Sequence, residues 1–590
     1  MPKPSLFDTD LVRSPRAVLL AWSAWAALCL IVQLHFDWEP ESTDDWMRLL
    51  EVRALLDGQG WWDISQYRIN DPAGFSMHWS RLVDLPLIIA FTSVGETAGM
   101  AFVPLLWLIP VLFALRSIML RLNFAPFPFA IGLLAMPLFP LLPSVFVPFE
   151  IDHHGPQAAL ALITAALALS HRRMAAAGSG LAAAAWVVIS LEGLPLIAVF
   201  AGLYGIRYWW AAQRLLPCFL GTLAAGTALL SLTTRPVSDF SAGYCDIVLP
   251  GHVLSFAIAA ILSAAMPLGP GQRRSKGRFV ALCVVGTAAL VAGISALGPC
   301  AANPMASLDP ILRTYWYDHV VEGLPVNRQS ASVMVMLIMP LFIVGAGWWS
   351  AVRTGQTHDG RALAWFLLTV LALAASIFSL VVMRGAVIAQ LLAIPFAAIL
   401  LGTWLPKARA ISSTVARFAA TLAVIAMSTP IFTTAMAKPL DRYMPSAGSI
   451  APLASGNCDY AGLAALRPGK MIAPLDAGPE ILGKTSHTVV AAGYHRNQIP
   501  MNRVIAGFIG PANVMQRTAR LLDVDYIVAC LAAPDFAIYA QVQKDNLASE
   551  IVANRPPAWL EPAPDFASGA LRVYRVRDPV RPGGNPTPHR

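Results

Sequence analysis

The sequence predicts an α-helical polytopic membrane protein of about thirteen transmembrane helices, followed by a C-terminal extracytoplasmic α/β domain. Three observations lead there. Only 13% of the 590 residues are charged and the mean hydropathy is +0.59, whereas a soluble chain carries about a quarter charged residues. Apolar runs long enough to cross a bilayer recur from residue 16 to residue 436. Beyond residue 437 short apolar runs alternate with polar turns. The predicted domains are therefore a membrane domain, 1–437, an α/β domain, 438–577, and a tail rich in Pro, Gly and Arg, 578–590, predicted to be disordered.

The predicted spans are 16–35, 98–118, 129–148, 157–171, 177–192, 194–210, 215–233, 251–268, 279–297, 331–350, 363–382, 385–403 and 416–436. The first follows Arg13 and Arg16 without a convincing small-residue cleavage site, and reads as a retained signal anchor. The stretch 85–97 is apolar but short, and reads as interfacial or re-entrant. Alternate loops collect Arg116, Arg121, Arg172, Arg173, Arg207, Arg214, Arg353, Arg361, Lys407 and Arg409, while most acids fall in the others. That asymmetry places the N-terminus in the cytoplasm and the C-terminal domain outside, in the periplasm if the membrane is a bacterial inner membrane. It also accounts for the net charge of +8. No Lys/Arg run interleaved with aromatics marks a nucleic-acid surface, so no nucleic-acid partner is expected; the expected surroundings are membrane lipid.

In the C-terminal domain, 470–474 and 525–530 read as buried strands and 511–522 as a helix. Cys29, Cys218 and Cys283 lie inside predicted spans. Cys245, Cys300, Cys458 and Cys530 all fall outside, where an even number of thiols points to disulfides. Proximity along the chain pairs Cys245 with Cys300 and Cys458 with Cys530; free thiols are the plainer alternative.

The outer loops carry the candidate chemistry. In the first, Ser42 to Asp45 fits a helix-capping pattern, and Trp46, Leu49, Leu50 and Leu56 follow at helical spacing. This predicts an amphipathic helix on the membrane surface with Asp44 and Asp45 in its first turn. His78 lies further along the same loop. The second loop, Glu150-Ile-Asp152-His153-His154, gathers carboxylates and imidazoles that suit a divalent cation such as Mg²⁺ or Mn²⁺, with Glu150, Asp152 and His153 as the candidate ligands and His154 beside them. A solvated polar turn is the plainer reading. Glu192 stands alone in the third loop. Arg384 is the lone charge of the last hairpin, a natural partner for a lipid phosphate or a residue snorkelling to a headgroup. In the C-terminal domain His495 and Arg496 are the candidates for the acceptor side.

Together these features resemble the GT-C superfamily of integral-membrane glycosyltransferases, and in outline the catalytic subunit of oligosaccharyltransferase. The resemblance covers most of the chain as architecture: an inside N-terminus, an acidic first loop, a second acid-x-acid loop and an external C-terminal domain. Asp44 or Asp45 and Glu150-x-Asp152 match two elements of that family's site; Glu192 or Glu322 stands in for its later Glu. The Trp-Trp-Asp-Tyr-Gly signature of oligosaccharyltransferase is absent from the C-terminal domain, which puts sequon transfer in doubt. HWSRLVD, IDHHGPQ and AAGYHRN also resemble uncharacterised bacterial proteins of the same general type. The resemblance implies a sugar donor on a polyprenyl phosphate and an extracytoplasmic acceptor hydroxyl on a saccharide, lipid or protein. It further implies inverting transfer with Asp44 or Asp45 as general base and Arg384 on the donor phosphate. Two other readings remain: a transporter or flippase of lipid-linked saccharide, which would place ionisable groups at mid-membrane, and a non-catalytic cell-envelope assembly protein.

Overall fold

The computed structural model describes residues 9–268, 274–302, 305, 308–358, 360–447 and 450–577; the tail 578–590, expected to be disordered, lies outside them. The chain forms two compact units. The first comprises Met1–Pro40, Trp79–Ala306 and Glu322–Ala447, and the second Glu41–His78, Ser307–Val321 and Gly448–Arg590.

The first unit is helical. Among the described residues, seven helices are long and apolar enough to cross a membrane, or eight if Thr414–Ser428 and Pro430–Leu440, bent by 94°, count as one span. That bend sits where Pro430 opens the second helix and has no N–H to continue the first. Three other predicted spans are helices of 15, 17 and 16 residues: His154–Ala168, Arg173–Ile189 and Pro250–Ala265. At about 1.5 Å per residue these rise about 22–26 Å, short of a hydrocarbon core of about 30 Å. The predicted span 129–148 is not continuous. Pro126–Leu134 is helical, followed by the short turns Met136–Leu138 and Leu141–Ser144, because Pro137, Pro140 and Pro143 withdraw the N–H groups a helix needs. The stretch 85–97 contains the 11-residue helix Asp84–Val94, ended by Gly95 at φ 91°.

Helix Ala386–Arg409 is the centre of this unit, with Leu391 to Leu401 buried without a break. Small residues let the other helices close. Gly180, on Arg173–Ile189, faces the Phe219 carbonyl of Leu216–Thr234 so closely that no Cβ would fit. The disulfide Cys245–Cys300 is present, with Cα atoms 5.0 Å apart.

The second unit is built on a five-stranded sheet in the order β2-β1-β3-β5-β4. The strands are β1 (Lys470–Ile472), β2 (Thr488–Val489), β3 (Tyr526–Cys530), β4 (Leu560–Pro562) and β5 (Leu571–Val576). β2, β1 and β3 run parallel, and β5 and β4 continue antiparallel. All five residues of β3 are buried. The predicted strands at 470 and 525 and the helix near 511 are present as β1, β3 and Ala512–Leu521. Cys458–Cys530 is bonded.

Residues 41–78 are part of this unit. Asn70 N donates to Val489 O and Val489 N to Arg68 O, each at 2.9 Å, so residues 68–70 extend the sheet beyond β2. The Arg68 guanidinium donates to the carbonyls of Leu482, Thr485 and His487, and Lys470 Nζ to Asp71 O at 3.0 Å. Helix Thr43–Leu56 packs on Gly478–Lys484. The Trp46 ring packs against Gly483, which has no side chain to hold it off, and Arg53 donates to Gly483 O at 3.0 Å. The expected surface helix is therefore a buried one. Every residue from Asp45 to Val52 is covered, and the charges on its would-be wet face are neutralised by the Arg48–Glu51 pair at 2.9 Å.

Candidate functional site

Each unit carries its own constellation of charged side chains. In the first unit the turn after Val147 enters a left-handed conformation at Phe149 (φ 71°), unusual for a bulky residue, anchored by Phe149 N on Met100 O at 2.9 Å. The turn then delivers Asp152 to the start of helix His154–Ala168, where its Oδ1 accepts the His154 N–H at 2.7 Å. Its Oδ2 lies 3.3 Å from His154 Nε2. The same Nε2 is 3.8 Å from Glu322 Oε2. Arg384 closes the group, its Nε donating to Glu322 Oε2 at 3.1 Å and its Nη1 to Glu192 Oε1 at 2.8 Å. Glu192 stands in the tight turn Leu191–Gly193, its N–H on Ser190 Oγ. Desolvation would raise Glu322, but Arg384 and His154 hold it below the usual carboxylate range.

The structure thus joins Asp152, His154, Glu192, Glu322 and Arg384. His153 instead lies against His154 and Trp79, its ring tilted to both, at ring separations of 4.5 and 5.8 Å. Glu150 lines a small hollow with Asp152, Val83, Leu87 and Trp107. Glu150, Asp152 and His153 do not bring three ligand atoms within 4.8 Å of one another. Asp152 and His154 do meet, carboxylate to imidazole, at 3.3 Å.

In the second unit Asp44 and Asp45 have different surroundings. Asp45 is 1% exposed. Its N–H donates to Ser42 Oγ at 3.0 Å, and the Ser42 hydroxyl donates back to its Oδ2 at 2.5 Å. That is the N-cap the sequence predicts. Asp44 is half-buried, and Tyr494 Oη donates to its Oδ1 at 3.3 Å and to Thr43 O at 3.2 Å. Tyr494 stacks on Phe75. Burial, together with the negative charge of Asp44, pushes its phenol well above the ordinary value and keeps it a donor. Next to it, His495 lies against His78 with ring centroids 4.8 Å apart, and Arg496 Nη1 donates to Met77 O at 3.1 Å. Residues 494–496 and 75–78 therefore form one surface inside this unit.

Two groups escaped the sequence. Arg48 and Glu51 have a visible signal, opposite charges at i, i+3. Asp476 and Asp535 have none, being far apart in the chain. Asp535 Oδ2 accepts the Asp476 N–H at 3.3 Å. Burial pushes both carboxyls up, and the charge of Asp535 adds to the shift of Asp476.

No protein-family model and no curated protein matches the chain. Among solved structures it is similar to the archaeal oligosaccharyltransferase AglB of Archaeoglobus fulgidus in complex with an inhibitory peptide and a dolichol-phosphate. That likeness has a TM-score of 0.61 at 15% identity over 95% of this chain and 74% of that one. The apo form of the A. fulgidus oligosaccharyltransferase gives 0.59 at 16% identity, over 92% and 73%. Its complex with Zn and sulfate gives 0.57 at 15%, over 90% and 70%. The chain has a GT-C-like fold.

Proposed function

We propose that the chain is a membrane glycosyltransferase that moves a sugar from a polyprenyl-phosphate-linked donor to an extracytoplasmic acceptor hydroxyl, inverting the anomeric carbon. The observation that carries this reading is the GT-C-like fold along 95% of the chain, shared with a protein whose complex contains a dolichol-phosphate. Fold alone does not fix function, so the chemistry is argued from the residues.

The acceptor oxygen attacks the anomeric carbon, the bond from that carbon to the phosphate oxygen breaks, and the phosphate leaves with the electron pair. Asp44 takes the acceptor proton. It is the better base of the two neighbours because its carboxylate is partly open and oriented by Tyr494, whereas Asp45 is enclosed and committed to Ser42. Arg384 meets the charge that develops on the departing phosphate. Phosphate is a good leaving group, so no general acid is needed. A divalent cation would be held by Asp152 and His154, whose donor atoms lie 3.3 Å apart; it would supply further charge neutralisation. The A. fulgidus oligosaccharyltransferase, of similar fold, is known in complex with Zn, which supports such a cation here. The N-terminus is assigned to the cytoplasm and the second unit to the outer side.

The test is transfer by the full chain in lipid nanodiscs, supplied with polyprenyl-phosphate sugars and candidate acceptors. Asp44→Asn should lower turnover about 10²- to 10⁴-fold, with the thermal midpoint kept. Asp45→Asn should lower the midpoint and leave most of the turnover. Full activity in Asp44→Asn would reject the assignment.

A further inference from the structure

Arg384 is the donor-phosphate residue of the proposed function, yet in this structure its guanidinium is already occupied. We propose that Glu322 sits where the donor's phosphate binds and that the phosphate must displace it, so that Glu322 competes with the charged lipid and not with its neutral analogue. This rests on the reading of Arg384 given above.

A single oxygen, Glu322 Oε2, lies 3.1 Å from Arg384 Nε and 3.8 Å from His154 Nε2. An anionic oxygen between a guanidinium and an imidazole is the placement an incoming phosphate oxygen would take. The carboxylate makes in advance the contacts that the ligand would make.

Asp152, Glu192 and Glu322 surround Arg384 and His154. With no cation bound, three carboxylates against one guanidinium and one imidazole leave no net positive charge for a phosphate. A phosphate entering with all three acids in place would be repelled at short range, so one acid has to leave.

Of the three acids, Glu322 is the one placed to move. Asp152 is 4% exposed and fixed by the His154 N–H. Glu192 is held in a one-turn link between two helices. The Glu322 side chain is 53% exposed and belongs to the turn Val321–Gly323, in a stretch that holds only short 3₁₀ turns up to Arg328. Its displacement breaks no helix. A phosphate replaces the lost partner of Arg384 and a polyprenol hydroxyl does not, so the neutral lipid binds with Glu322 left in place.

The experiment measures binding of a short-chain polyprenyl monophosphate, and of the matching polyprenol, to the full chain in nanodiscs by native mass spectrometry. Glu322→Gln keeps size and removes charge. It should tighten the phosphate about two- to fivefold, the worth of one half-exposed ion pair, and leave polyprenol binding unchanged. Glu322→Asp, which keeps the charge on a shorter arm, should give an intermediate result. Phosphate binding that is unchanged or weakened in Glu322→Gln, or equal tightening of both lipids, overturns the inference. Arg384→Ala separates the two levels. If it leaves phosphate binding intact, the assignment of Arg384 to the donor falls. If it abolishes binding while Glu322→Gln changes nothing, only the role of Glu322 falls.

Discussion

Replacing Glu51 by Gln should destabilise the second unit more than any loss of a surface charge. Arg48 and Glu51 are 2.9 Å apart with side chains 1% and 2% exposed. At an effective dielectric of about 20, two unit charges at this distance attract by about 6 kcal/mol. Their desolvation consumes much of that gain, but removing one partner leaves the other buried without it, which costs about 3–5 kcal/mol. For a unit of 150–250 residues each kcal/mol corresponds to about 2–4 °C, so the midpoint should fall by about 6–20 °C. The assay is thermal unfolding of the detergent-solubilised chain, followed by tryptophan emission, since Trp46 lies on the same helix. The double variant Arg48→Met/Glu51→Leu, which removes both charges, should recover most of the loss. A Glu51→Gln midpoint within 2 °C of the parent, or a double variant no better than the single, would refute the reasoning.

The other expectations can be measured in the same way. Cys458→Ser with Cys530→Ser opens a loop spanning 72 positions and should cost about 4 kcal/mol on the chain-entropy account, read as a lower denaturation midpoint. Burial raises Asp476 and Asp535, so above about pH 4 the folded state retains protons that the unfolded state has released. Stability of the second unit should therefore fall as pH rises through the interval between the ordinary and the raised values. Asp535→Asn should flatten that fall in a series of thermal midpoints; an unchanged slope would remove the pair from the account.

What the sequence reveals here is local or compositional. The Ser42–Asp45 cap is legible because its partners are three residues apart, and β3 because a fully buried strand is a short apolar run. The disulfides follow from four cysteines sharing one predicted side. Hydropathy reads 129–148 as a single span because a window average does not register Pro137, Pro140 and Pro143. The helix from Thr43 looks amphipathic because Trp46, Leu49 and Leu50 fit one face; nothing in the pattern says that Arg48 and Glu51 will neutralise each other and let the opposite face be buried. Arg384 is legible as an isolated cation between spans, but its carboxylate partners come from Glu192 and Glu322, brought to it by folding. The bridge between Ile69 and Val489 leaves no trace, since pairing across such a distance has no periodicity.

That last pairing sets a timetable for synthesis. Arg68 meets the carbonyl of His487 across 419 positions, and Trp46 finds its cover only when Gly483 has been made. At about 5–20 residues per second the helix from Thr43 waits about 20–80 s for the strands that complete its surroundings. Throughout that interval Trp46, Met47 and Leu49 have none of their native neighbours from the later segment, a state that chaperones hold and proteases remove. A ribosome that stalls before β2 orphans the early helix, because four of the five strands of its sheet have not been made. Nonsense mutations well downstream should therefore erase the protein from the cell rather than leave a membrane-embedded fragment lacking only its tail.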